Sequence, residues 1–231
     1  MIHVQDRELV VPGQLIAEGS YRLQEGTFRE GNQVYSAVVG LVDLRGKEIK
    51  VIPLQGRYIP SQGDLVVGVV IDSHYSGWIL DLNSPYTGNL FVSDLLHRKV
   101  DLNREDISSY LSIGDVVVAM VKDVDERMRV LLETDAPDTG KVEGGELVEI
   151  SPVKVPRVLG RKGSMLNTLQ NVTGCRVSVG QNGRILVEGK NQRMVNAVVE
   201  ALLMIEREAH TSGLTDRVRL LLEKAKSVGG S

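Results

Sequence analysis

The sequence predicts a multidomain chain that changes class along its length. An all-β half, residues 1 to about 133, is followed by an α+β domain in the order β-α-α-β-β-α. Three observations lead there. Short runs rich in Val and Ile, punctuated by Gly, Asn and Pro, fill residues 1 to 133. A polar, acidic, glycine-rich stretch interrupts them at 134–145. Beyond it, apolar residues recur at helical spacing.

In the first half, residues 33–42, 48–53 and 65–70 read as strands. Pro60-Ser61-Gln62-Gly63-Asp64 is a turn cluster, dividing a first domain (1–60) from a second (61–133). Thr134 to Gly145 reads as a linker, and the last domain spans 146–231 with carboxy-terminal helices.

The last domain can be followed element by element. Residues 146–150 alternate like a strand, which Ser151-Pro152 ends. Residues 155–159 form a short helix that tolerates Pro156 in its first turn. After the tetrapeptide Gly160-Arg161-Lys162-Gly163, residues Met165, Leu166, Leu169 and Val172 fall at helical spacing until Thr173-Gly174 stops them. Two strands, 175–179 and 184–188, flank Gly180-Gln181-Asn182-Gly183, a hairpin signal. Met194, Ala197, Val198, Ala201, Leu202 and Ile205 mark one face of a long helix.

Charge is distributed unevenly. The chain has net charge −3, yet residues 150–187 hold six basic residues (Lys154, Arg157, Arg161, Lys162, Arg176, Arg184) and no acid. Residues 64–133 hold twelve acidic against six basic residues. Electrostatic affinity for a polyanion must therefore come mainly from 150–187. At Gly160-Arg161-Lys162-Gly163 the glycines let backbone approach phosphates and the cations stand where phosphates would lie. Ser164 reads as the cap of the next helix, whose positive end adds to the site. The ordinary alternative is a tight turn between helices with a solvated basic face.

Several classes are disfavoured. No apolar run nears the roughly 18 residues of a membrane helix and no secretory leader is visible, so a cytoplasmic, non-membrane protein is expected. The single cysteine, Cys175, excludes an internal disulfide, and His3, His74, His97 and His210 lack metal-ligand spacing. No catalytic triad, phosphate-binding loop with its Lys-Ser/Thr ending, or paired-histidine site is present, so no catalytic residues, metal or cofactor are expected. The acids Asp123, Asp125 and Glu126 read as a solvated turn rather than a nuclease metal pair.

The run from Val158 to Val179 resembles the core signature of KH domains, whose GxxG loop clamps about four nucleotides of single-stranded RNA. That resemblance implies RNA contacts from Gly160, Arg161, Lys162, Gly163, Arg157, Ser164 and Arg176. Residues 64–133 resemble an S1 domain, the RNA-binding form of the five-stranded OB barrel, through the segments 63–70, 72–81, 88–96, 111–118 and 121–132. It implies base stacking at Tyr75 and Trp78 and polar contacts from Asp125 and Arg129 on the last strands. Phe91 stands where the family often has histidine, a departure from its pattern. From its own residues, Trp78 reads equally as barrel core.

The order of domains, with Val11-Pro12-Gly13, the segment from Gln55 to Gly68 and the insertion 83–88, is similar to the RNA-binding cap subunit of the archaeal exosome, S1-plus-KH type. The resemblance implies a non-catalytic subunit, three copies of which sit on a hexameric ring of RNase PH-type proteins and help thread RNA 3′ ends into it. The amino-terminal domain would supply the docking surface. Two other readings stay open on the residues alone: a free-standing S1/KH regulator of transcription or translation, and a metal-dependent nuclease.

Overall fold

The structure is a computed structural model and describes residues 1–54, 56–101, 106–209, 211 and 213–227. Gln55 and His210, both used above, lie outside the described residues. The chain forms two compact units, 1–56 and 57–231. No helix among the described residues is long and apolar enough to cross a membrane.

The first unit is all-β. Its strands are β1 (Leu9–Val10), β2 (Leu15–Glu18), β3 (Arg22–Leu23), β4 (Thr27–Glu30), β5 (Gln33–Ser36), β6 (Gly40–Arg45) and β7 (Glu48–Pro53). One sheet runs β1-β6-β7-β3 and the other β2-β5-β4. Val10, Ile16, Val34, Val42, Ile49 and Val51 fill the core of the unit. The strand expected over 33–42 is two strands belonging to different sheets. The break is built at Ser36, whose Oγ donates to the Val38 carbonyl (2.6 Å) and accepts from the Val38 N–H (3.3 Å). A serine side chain that satisfies the local backbone frees the chain to change sheets.

The second unit begins with a closed, OB-like barrel of β8 (Leu65–His74), β9 (Gly77–Asp81), β10 (Thr87–Phe91), β11 (Val116–Val124) and β12 (Val130–Glu133), with the short helix α1 (Val92–Leu96) after β10. Antiparallel pairs β8–β9, β9–β10, β8–β11 and β11–β12 and the parallel pair β10–β12 complete the closure. Bulges interrupt the register at 70–72 and 121–123, where a closing sheet must bend. Val66, Leu80, Leu90, Val117 and Leu132 point inward.

The acidic stretch expected as a linker is instead built onto the barrel. Thr134 is buried, with Oγ1 donating to the Asp94 carbonyl at 2.9 Å. Gly140–Lys141 then pairs with β11 as β13. Ion pairs of Asp135 with His97 and of Lys141 with Asp115 add to these contacts, and polar composition gave no sign of them because the partners are distant in sequence.

The α+β domain has β14 (Glu146–Glu149), α2 (Val155–Leu159), α3 (Ser164–Thr173), β15 (Arg176–Val179), β16 (Arg184–Glu188), α4 (Gln192–Glu208) and α5 (Leu214–Ser227). Its sheet runs β14-β16-β15, all antiparallel. The periodic face of α4 and residues Leu214, Val218 and Leu222 of α5 join one core with Val155, Leu169, Val177 and Ile185.

Barrel and α+β domain form one unit because their sheets share an apolar seam. Val67 and Val118 point outward from the barrel and meet Leu186. The β15–β16 turn then docks on the barrel. Asn182 Nδ2 donates to the carbonyls of Val67 (2.8 Å) and Leu82 (2.9 Å), its Oδ1 accepts from Val67 N (3.3 Å), and Gln181 N donates to Leu65 O (2.7 Å). Arg184, only 7% exposed, pairs with Glu149 at 2.8 Å and Asp81 at 2.5 Å.

Candidate nucleic-acid interface

The geometry of the Gly160-Arg161-Lys162-Gly163 loop follows from its glycines. α2 ends at Gly160, whose N–H donates to Pro156 O at 3.0 Å. Gly160 then takes φ 73°, ψ 176°, a conformation open essentially to glycine alone. A Cβ there would also come within 2.7 Å of the Met165 amide. Lys162 and Gly163 are left-handed at φ 53° and 77°, and α3 starts directly after them. This reversal aims the positive end of α3 at the loop. Ser164 is not the cap: Gly163 holds that position, and Ser164 is the exposed first residue of α3, with no side-chain capping bond. The left-handed turn that a glycine permits has displaced the cap by one residue.

The six cations of 150–187 divide into two sets. Arg157, Arg161 and Lys162 are exposed around the loop, with no ion pair among the described residues. The others are engaged. Lys154 Nζ donates to the Glu206 carbonyl at 2.8 Å, tying the start of α2 to α4. Arg184 is the buried joint already described, so its charge is unavailable to a polyanion. Arg176 lies exposed at the start of the edge strand β15, held by Asp138 at 2.6 Å and approached by Glu188 at 3.8 Å. The electrostatic footprint is therefore smaller and more sharply placed than the count of six implies.

On the barrel, the expected residues separate. Trp78 is 0% exposed, and its Nε1 donates to Leu111 O at 3.1 Å inside the core. A ring with no free face cannot stack on a base, so the stacking role expected for Trp78 is corrected to a structural one. Tyr75 is 68% exposed in the β8–β9 turn. Phe91, Asp125 and Arg129 come together with Asn89 and Leu131 around one shallow depression of about 340 Å³. Phe91 is 36% exposed and meets the edge of the His74 ring at 6.0 Å. Sequence reasoning left out His74 and Asn89. Asn89 pairs with Leu131 across β10–β12, and His74 and Phe91 both pair with Gly77; no local pattern in the sequence reveals these pairings.

Asp125 and Arg129 lie in the β11–β12 turn rather than on the strands. Asp125 Oδ1 accepts the N–H groups of Arg127 (2.9 Å) and Arg129 (2.8 Å), while Oδ2 accepts Arg129 Nε at 2.6 Å. The Arg129 amide, then the Arg129 side chain, holds the Asp125 carboxyl below its ordinary pKa. Asp125 is thus a turn builder as well as a polar surface group. Among the described residues, no group of three or more His, Cys, Asp or Glu side chains is placed to hold a metal ion.

An OB-like barrel fused to an α+β domain with an exposed Gly-Arg-Lys-Gly loop defines the class: a multidomain RNA-binding protein. Comparison with known proteins agrees and is more specific. Residues 145–205 match the KH domain family, and residues 7–55 match the exosome RNA binding protein RRP4 N-terminal domain. The exosome complex component Rrp4 of Pyrococcus horikoshii is 48% identical over 223 residues, spanning 96% of this chain and 84% of that protein. Its counterpart in Methanopyrus kandleri is 48% identical over 231 residues, spanning 96% of both chains. A solved structure of a proposed exosome complex RNA-binding protein is 39% identical, covering 75% of this chain and 99% of its own at a TM-score of 0.70. The chain belongs to the Rrp4 family.

Proposed function

We propose that the chain is a non-catalytic, RNA-binding subunit of an archaeal-type exosome. Three copies cap a ring of RNase PH-type subunits in the cytoplasm, hold single-stranded RNA and feed its 3′ end into the ring for degradation or processing. The observation that carries this reading is the free cationic loop: Arg157, Arg161 and Lys162 are exposed around a glycine-built turn at the positive end of α3. Clamping of the RNA backbone there needs only charge, close approach and amide donors. The barrel depression at Phe91 adds one aromatic edge and polar neighbours to the same compact unit.

Docking falls to the first unit. Leu9, Val11, Val39 and Leu54 are exposed apolar residues. Val10 pairs with Gly40 across β1–β6, and Leu54 N donates to Val39 O, so these residues are close neighbours. Neighbouring exposed apolar residues of this kind suit a protein contact. The test is co-elution with a reconstituted RNase PH-type ring. The wild-type chain is expected to travel with the ring and raise its retention of single-stranded RNA, while Leu9→Glu with Val39→Glu releases the chain. A double variant that stays ring-bound moves the docking surface elsewhere, and a wild-type chain that never joins the ring overturns the assembly.

A further inference from the structure

Arg176 combines a position suited to phosphate contact with a carboxylate already seated on it. It opens β15, the edge strand of the KH sheet, and lines a pocket of about 290 Å³ between that strand and the barrel's β11–β13 region. A volume near 300 Å³ is at the small end of ligand pockets. Ser178 and Lys141 line it too, as do the acids Glu143 and Glu188.

The segment carrying Asp138 is held at both ends. Thr134 bonds to the Asp94 carbonyl, Thr139 Oγ1 donates to Ala136 O at 2.6 Å and to Thr134 O at 2.7 Å, and β13 follows at once on β11. Within that turn Asp138 is left-handed (φ 67°), a conformation that Asp and Asn tolerate better than most residues. The result is a carboxylate carried by the barrel and aimed at the KH domain, its Oδ1 2.6 Å from Arg176 Nη2. The pair is exposed on both sides, so it contributes little to stability and exchanges readily with solvent ions.

We propose that Asp138 is a phosphate stand-in, which occupies Arg176 until a phosphate of bound RNA displaces it. This rests on the reading that the KH domain binds RNA. With Asp138 seated and Glu188 nearby, Arg176 offers an incoming strand no net positive charge. Only a strand whose backbone reaches the junction pocket exchanges one carboxylate partner for another anion. Asp138 therefore discriminates against anions and short strands that fail to reach, and it lowers the affinity for those that do.

The test is fluorescence anisotropy of the full chain with a labelled 12-nucleotide oligouridine across a salt series. Asp138→Asn keeps the left-handed turn and is expected to bind about two- to five-fold tighter at low salt, the scale of one exposed ion pair. Its log–log salt slope should match that of the wild-type chain, since the same phosphate reaches Arg176 in both. Arg176→Ala in the Asp138→Asn background should abolish the gain. Glu143→Gln removes the same charge from the same pocket and should leave affinity within about two-fold, as a surface change without a contact. Unchanged affinity in Asp138→Asn, or an equal gain in Glu143→Gln, overturns the proposal. Arg161→Ala with Lys162→Ala separates the two levels. If that pair weakens binding while Asp138→Asn is silent, only the stand-in falls; if it too is silent, RNA binding by the KH loop falls with it.

Discussion

Residues 160–163 and 180–183 are both Gly-x-x-Gly tetrapeptides of the KH domain, and the structure uses them in opposite ways. The first carries Arg and Lys, turns between two helices and leaves both cations in water. The second carries Gln and Asn, closes a hairpin and presses against the barrel, so that Asn182 is buried. Its first glycine is needed for close packing: a Cβ on Gly180 would collide with Asn182 Oδ1 and stand 2.9 Å from the Arg184 carbonyl oxygen and 3.0 Å from the Val67 amide of the barrel. Glycine spacing supplies closeness in each case. The residues between decide whether a phosphate or a neighbouring backbone fills it.

The largest effect expected from breaking this contrast is on stability. Asn182→Ala would leave the Val67 N–H and the carbonyls of Val67 and Leu82 without their side-chain partner in a buried joint. At about 1–3 kcal/mol for each buried group left unsatisfied, a loss of about 3 kcal/mol or more is expected. It is read as a lower denaturant midpoint. A midpoint within experimental scatter of wild type would mean that the docked turn is not what joins barrel and KH domain.

The mirror experiment puts a charge on the exposed tetrapeptide. Gly160 is unsuitable, since its backbone and its contact with Met165 exclude a side chain. Gly163 has open space around it, with Asn167 Nδ2 at 3.9 Å, and a left-handed backbone that Asp tolerates. Gly163→Asp should weaken single-stranded RNA binding about ten-fold or more, as an anion set among phosphates. Its denaturant midpoint should move far less than that of Asn182→Ala. Equal loss of stability in both variants would erase the distinction between the two loops.

On the barrel, Phe91→Ala should weaken RNA binding by up to about 1–3 kcal/mol if a base stacks there, with the salt slope unchanged. An unchanged dissociation constant would confine RNA contact to the KH domain. The smallest effect concerns pH. Because the Asp125 carboxyl is held below its ordinary range when folded, its contribution to the β11–β12 turn is complete above the usual carboxylate pKa of about 3.9 and is lost as pH falls through the lower folded value. The Arg127 and Arg129 amide resonances should therefore titrate below pH 3.9; an inflection above it would contradict the hydrogen bonding to Asp125.

Much of the KH domain was legible because local signals repeat what the fold requires. Gly174 ends α3 in a left-handed cap, Pro156 sits in the first turn of α2, and the face from Met194 to Ile205 is buried as its spacing predicts. The signals that misled were those whose meaning depends on distant partners. Arg184 was counted with the cations of the footprint, but Asp81, far away in sequence, makes it structural. Trp78 read equally as surface and core until Leu111 supplied an acceptor for its ring nitrogen. The unbroken apolar run 65–70 did hold a clue: Val66 faces the barrel interior and Val67 the KH sheet, so both faces of β8 are covered there.

The central claim is that backbone phosphates are held by the exposed tetrapeptide. A salt titration of RNA affinity for Arg161→Ala with Lys162→Ala tests it most directly. Each single-strand phosphate contact contributes about −0.7 to the log–log slope, so loss of two cations should make it shallower by about 1.4. The denaturant midpoint should be unchanged, since both side chains stand in water. A slope equal to that of the wild-type chain, with affinity intact, would contradict the account and place the phosphate contacts elsewhere on the molecule.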